Sequence, residues 1–348
     1  MTYLVGKIAL DIKAGAPNNG EGRDNVGQVK KVRVGRDEYP YVSAQAFRRW
    51  LRDSAPVGEA RSEVIRSGTG KSQQAFTKGR PDRFFDDDLF GYMVAQKGKD
   101  GASSQRDTVF ATGTLLSVAP RRPTQDFGTM SRGFQAGENP VIHNHELYTA
   151  ELAGDVLLDL PRIGTFETEG SGFKVALHKD AAAEVAAAGA ERLAFRGNSA
   201  LRLSISERRR RAALLLRTLT EVRGGAKKAL HYGDRSPAFV LLAPIKGGIN
   251  PFTRVFGLRD GQVVFNSDVF LEELAAWREE LDGPVHIGWA PGFLGDGREI
   301  AADRLKTVEK LEGEREAVVL GHPRTVFGDL ADQIEDGTHD HWFDDPTS

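Results

Sequence analysis

The residues best placed to do chemistry in this sequence are its arginines and lysines, and they come in clusters with a period. In Val42–Arg52, at about 100° per residue, Ala44, Phe47, Trp50 and Leu51 fall on one side of a helix and Arg48, Arg49 and Arg52 on the other. One side is suited to burial and the other to anions, and the Ser43 hydroxyl can accept from a first-turn amide as the cap. A second cluster is denser. Arg208 to Arg211 precede the apolar stripe Leu214, Leu215, Leu216, Leu219 and Val222, and Arg223-Gly224-Gly225-Ala226-Lys227-Lys228 follows, then His231 and Tyr232. Four arginines near a helix start oppose its dipole, so something negative should offset them. Paired glycines allow close backbone approach, successive amides form an anion-binding concavity, and the histidine and tyrosine offer stacking surfaces. Residues 202–235 hold ten Lys+Arg against three acids. A helix, a basic glycine loop and a strand in that order suit a sugar-phosphate backbone.

Other groupings are weaker. Gly68-Thr69-Gly70-Lys71-Ser72 has the end of a nucleotide-hydrolase phosphate loop, but Ile65 stands where the pattern needs glycine. Asp86-Asp87-Asp88 could face a divalent cation, yet three acids ahead of Leu89 are better read as a helix start capped by Asp88. His143 and His145 share a strand face but have no third and fourth ligand at a recognisable spacing, so they read as structural and no metal or cofactor is expected.

These residues need a scaffold. Tyr3–Ile12 alternates as a half-buried strand, with Lys7 and Asp11 on its polar face. Long aperiodic basic stretches follow at Ala14–Glu38 and Ala55–Arg83, connections of a length that is usually functional. Thr108–Val118 reads as a strand. Pro120–Pro140 then breaks all period and carries Arg121, Arg122, Phe127, Met130, Arg132 and Phe134, like an arm leaving the core and returning through Glu146–Leu152 and Val156–Leu160. Ala238–Ala243, Gln262–Phe265 and Val285–Trp289 read as strands, Val269–Leu281 and Glu299–Leu311 as helices, and Asp329–Ser348 as a fraying acidic tail.

Composition bounds the function. The chain has no cysteine, which excludes disulfides and thiolate metal sites, and no apolar run of membrane-spanning length, so a soluble cytoplasmic protein is expected. The net charge of −2 conceals a split: residues 268–348 carry 7 Lys+Arg against 20 Asp+Glu, and residues 1–267 carry 40 against 29. A basic body points to a polyanion partner, with no basic amphipathic helix to favour a membrane.

Several stretches together resemble one family. Leu10-Asp11-Ile12 leading to Gly15-Ala16-Pro17-Asn18-Asn19-Gly20, then Tyr39–Arg52, Phe90-Gly91-Tyr92-Met93, His143-x-His145-Glu146-Leu147-Tyr148, and Gly224-Gly225-Ala226-Lys227 with Ser236-Pro237 are similar to the CRISPR-associated Cas-seven family. The DevR autoregulator branch of type I-B systems is the best match, in order from the first strand to about Pro244. The resemblance implies an α+β fold, an RNA-recognition-motif-like (ferredoxin-like) palm over residues 1–328. Its fingers would be 14–38 and 55–83, its thumb arm 120–140, and 329–348 would remain a tail. It implies a non-enzymatic backbone subunit that polymerises along CRISPR guide RNA in a Cascade surveillance complex. Its partners would be further copies of itself, end-capping and large subunits, and target DNA through guide pairing. On this reading RNA is bound by Asn18, Asn19, Lys30, Lys31, Arg33, Ser43, Gln45, Arg48, Arg49, Arg52, Arg208, Arg223, Gly224, Gly225, Ala226, Lys227, Lys228, His231 and Tyr232. Arg121, Arg122, Phe127, Met130 and Phe134 serve as the thumb wedge. The aromatic sheet signature of ordinary RNA-recognition motifs is missing, so contacts should go to phosphate and sugar. Two rival readings follow from the same likeness: a metal-dependent ribonuclease using Asp24, and a duplex-DNA-binding regulator, for which no helix-turn-helix pattern stands out.

Overall fold

The structure is a computed structural model that describes residues 1–20, 22, 26–70, 73–94, 104–130, 133, 135, 137, 141–169, 175–306 and 317–345. It is an α+β fold built on an eleven-stranded mixed sheet. The opening strand, Thr2–Gly15, lies between the long strand Val141–Asp159 and the strand Phe239–Lys246 and is antiparallel to both. Val285–Trp289 and then Val318–Gly321 extend one side, the last pair parallel. On the other side the long strand pairs with Leu115–Ser117, which pairs with Asp37–Val42.

Apolar clusters lie on the sheet's two faces. Leu4, Ile8, Leu10 and Ile12 join Phe47, Leu51, Leu215, Leu216, Leu219 and Phe327 on one face. Ala9 joins Phe239, Leu241, Phe252 and Trp289 on the other. The opening strand is therefore covered on both sides, which alternation alone did not reveal. Lys7 is tolerated within it because Asp155, its cross-strand partner, lies 2.9 Å away.

Thr108–Val118 forms two short strands, Phe110–Thr112 and Leu115–Ser117, which pair with different parts of the long strand. The two expected return segments are one continuous strand of 19 residues. The arm is a β-hairpin: Thr124–Met130 runs antiparallel to Val141–Leu147.

Three expectations are corrected. Asp88 does not cap the helix Phe85–Phe90, whose cap residue is Phe84; the three aspartates lie inside its first turn and are buried. Asp88 instead receives hydrogen bonds from Arg106, Arg211 and the Gly164 amide, and Asp86 receives Arg52. Arg208, expected at RNA, is 4% exposed and donates to the carbonyls of Pro161, Ile163 and Phe343. Third, no boundary falls at residue 329. The helix Pro323–Asp336 runs through it and buries Val326, Phe327, Leu330, Ala331 and Ile334 at helical spacing, after which Trp342 and Phe343 are buried too. The acids of this segment are not a solvated tail: Asp332 and Glu335 pair with Arg217, and Asp340 pairs with Arg209.

Candidate nucleic-acid interface

Four segments distant in sequence meet around the glycine loop. The helix Ala44–Ser54 is capped by the Ser43 hydroxyl, which accepts from the Ala46 amide, while the Ser43 amide donates to the Asn18 side chain at 2.9 Å. The Ala226 amide donates to the Pro17 carbonyl at 2.8 Å, and the Arg223 amide to the Ser54 hydroxyl at 2.8 Å. Gly224 sits directly on Trp50, where a Cβ would come within 2.4 Å of the indole side chain, so only glycine allows this approach. Gly225 has φ of +110° and Lys227 of +50°, which turns the loop sharply back past Gly27. A Cβ on Gly27 would lie 3.2 Å from the Lys227 ammonium nitrogen.

Beneath this loop lies a residue that sequence reasoning counted only as charge. Arg235 is 1% exposed, and its Nε, Nη1 and Nη2 have no hydrogen-bond acceptor among the described residues. The guanidinium is lodged among glycines: a Cβ on Gly15 would lie 3.1 Å from its Nη1, and one on Gly225 3.3 Å from its Nε. The nearby Tyr148 hydroxyl, also buried, has no partner either. Burial pushes the Arg235 pKa down, with partial compensation from Tyr148 and Asp234. Nothing in the sequence distinguishes this arginine from its neighbours, because the signal is an absent partner.

The rest of the expected set divides. Arg223, Lys227, Lys228, His231 and the 89% exposed Tyr232 lie on or beside the loop, where Lys228 donates back to the Arg223 carbonyl. Lys31 joins the same side through Glu146, which also accepts from the Val29 amide, and the Lys30 amide donates to the Asn18 carbonyl. Asn19 pairs with Val29 across the same finger-like turn. Arg48 and Arg52 are turned elsewhere. They lie about 200° around the helix from Trp50, the residue that faces the loop. Arg48 donates to Thr112, its pKa lowered first by burial and then by Arg52, and Arg52 donates to the buried Asp86. Arg49 and Gln45 are exposed, Arg49 paired with Asp53. Arg33 is exposed and paired with Glu38. Single-face convergence of the helix arginines with the glycine loop does not occur.

On the arm, Phe127 is 62% exposed, Arg122 is exposed, and Arg121 reaches Glu151 at 3.4 Å. The Met130 side chain, Arg132, Phe134 and Asp24 fall outside the described residues. At the base of the arm, His145 Nε2 lies 2.7 Å from His231 Nε2 and 3.2 Å from the Asp126 carboxylate. Burial lowers the His145 pKa, and Lys227 and His231 add to that. An open cleft of about 880 Å³ runs from the loop, lined by Lys13, Arg223, Lys228, Tyr232 and Arg324.

No family model and no curated protein matches the sequence. Solved structures do match. A chain of a "CRISPR RNA-guided surveillance complex" aligns with TM-score 0.53 and 13% identity, over 95% of this chain and 99% of that one. A chain of a "CRISPR RNA-guided surveillance complex, pre-nicking" aligns with TM-score 0.54 and 11% identity, over 96% and 100%. The fold is that of surveillance-complex chains. The likeness extends over nearly the whole chain, beyond the stretch where the sequence resemblance fades. Among the described residues no helix is long and apolar enough to cross a membrane.

Proposed function

We propose that the protein is a non-catalytic, guide-RNA-binding backbone subunit of a type I CRISPR Cascade complex, in the DevR branch of the Cas-seven family. The observation that carries this reading is the buried Arg235 guanidinium, without an acceptor among the described residues, directly under a glycine loop flanked by Arg223, Lys227 and Lys228. A buried cation left unpaired costs several kcal/mol, and a phosphate lying along the loop offsets it through the local field. Loop amides and cations grip phosphate irrespective of base, which is what a subunit serving any guide needs.

On this reading the opening strand and its two neighbours are the RNA-recognition-motif-like palm. The arm 120–140 is the thumb, its strand Thr124–Met130 paired with Val141–Leu147 and Phe127 exposed to meet a base or a neighbouring copy. Copies of the chain would repeat along the guide, and target DNA would be read by pairing to it. The similarity to surveillance-complex chains supports the assembly role.

Expressing the protein beside a CRISPR array, then sequencing the co-purifying nucleic acid, tests the proposal. Guide RNA is expected, together with competition by single-stranded RNA over duplex DNA. Preferential recovery of duplex DNA would defeat it, as would regular cutting of complementary RNA in magnesium.

A further inference from the structure

The contacts between Asp126, His145 and His231 have a chemical consequence that does not depend on RNA. Asp126 and His145 are directly opposed in the hairpin ladder, one on each strand, and His231 reaches them from the loop after the arginine helix. The two imidazoles present Nε2 to Nε2 at 2.7 Å. In that contact only one nitrogen can carry a proton between them, and the other must offer a lone pair. The Asp126 carboxylate is 3.2 Å from the same His145 nitrogen, and all three candidate ligand atoms lie within 4.8 Å of one another. Among the described residues this is the one such convergence of histidine and acid side chains.

We propose that Asp126, His145 and His231 form a binding site for a divalent transition metal of the zinc class. Two imidazoles and a carboxylate are suitable donors for such an ion, and the chain has no thiolate to compete for it. Ligand atoms at about 2.0–2.1 Å from a tetrahedral ion stand roughly 3.3 Å apart. The His145–carboxylate separation already meets this; the two nitrogens need to part by about half an ångström, and His231 and Asp126, within 4.8 Å of each other, to close by as much as about 1.5 Å. His231 is only half-buried and can turn by that much, whereas His145, 6% exposed, stays fixed. Three protein ligands leave a fourth position for water or another oxygen. The ion would tie both strands at the base of the arm to the glycine loop. Lys227 adds positive charge beside the cluster, and the Asp126 carboxylate is its one anionic donor to offset it.

Equilibrium dialysis of the chelator-treated, tag-free, RNA-free protein against zinc chloride tests the site, with cobalt absorption reporting tetrahedral geometry. One equivalent is expected for the wild type and for a control His339→Gln, His341→Gln variant. Asp126→Asn, at an exposed position, and His231→Gln, at a half-buried one, should each weaken uptake by roughly a hundredfold or more, beyond the effect of removing an outer-shell partner. Absence of stoichiometric uptake by the wild type, or uptake that persists in His231→Gln, overturns the proposal. Failure here would leave the RNA reading untouched, since no nucleic acid is present.

Discussion

The helix Ile205–Leu219 and the loop that follows it are both dense in arginine and lysine, yet the protein treats their charges in opposite ways. Every arginine of the run 208–211 is answered from within: Arg208 by three carbonyls, Arg209 by Asp340, Arg210 by Glu59 and Glu207, Arg211 by Asp88 and Glu207. Arg235, at the far end of the loop, is as buried as Arg211 but has no acceptor among the described residues. Charge density therefore does not by itself mark an interface, and the proposed one rests on charge left unanswered. The acidic C-terminal segment also takes on a different meaning. Part of its negative charge, at Asp332, Glu335 and Asp340, is spent neutralising the helix, leaving the loop as the basic surface.

This contrast can be broken most forcefully at the helix. Asp88→Ala strips a carboxylate from Arg106 and Arg211, both buried, and should cost about 3–5 kcal/mol in a denaturant titration. Whatever protein remains folded should bind RNA as before, and weakened binding at unchanged stability would show the helix arginines to be part of the interface.

Acid sensitivity should come from a third place. His286, buried on the strand Val285–Trp289 with neither ring nitrogen partnered among the described residues, has its pKa pushed down to about 4 by burial, with His339 adding to it. The unfolded chain takes up this proton near pH 6.5 and the folded chain only near 4, so stability is lost as pH falls across that window, by about 3 kcal/mol in all. His286→Leu should flatten that limb of the pH–stability curve. A limb that remains as steep would assign the loss to other groups.

Arg235→Met separates the two regions most cleanly, because its effects should have opposite signs. Removing a buried, unpaired charge should stabilise the free protein by about 1–3 kcal/mol while single-stranded RNA affinity falls about tenfold. A destabilised protein with unchanged affinity would make Arg235 an ordinary structural residue.

Much of this was legible in the residues. Ser43 as a cap, the buried stripe of Phe47, Trp50 and Leu51, and the strands Gln262–Phe265 and Val285–Trp289 follow from local pattern, and they are found where expected. The meeting of Asn18, Ser43 and Ala226 was legible only as family likeness, since no local rule brings together positions so far apart in the chain. What could not be read was pairing. The Asp86–Asp88 run looks like a helix start because capping is local, whereas its partners Arg52, Arg106 and Arg211 are supplied by tertiary structure. Likewise the apolar positions of Pro323–Asp336 were masked by the surrounding acids, and the turning of Arg48 toward Thr112 depends on a strand that local pattern cannot position.

The most direct test is the salt dependence of single-stranded RNA binding by the wild type and by the Lys227→Ala, Lys228→Ala variant. If both lysines answer phosphates, the slope of log affinity against log salt should flatten by ~1.4, about 0.7 for each lost contact with a single strand. An unchanged slope would contradict the claim that the glycine loop holds the guide.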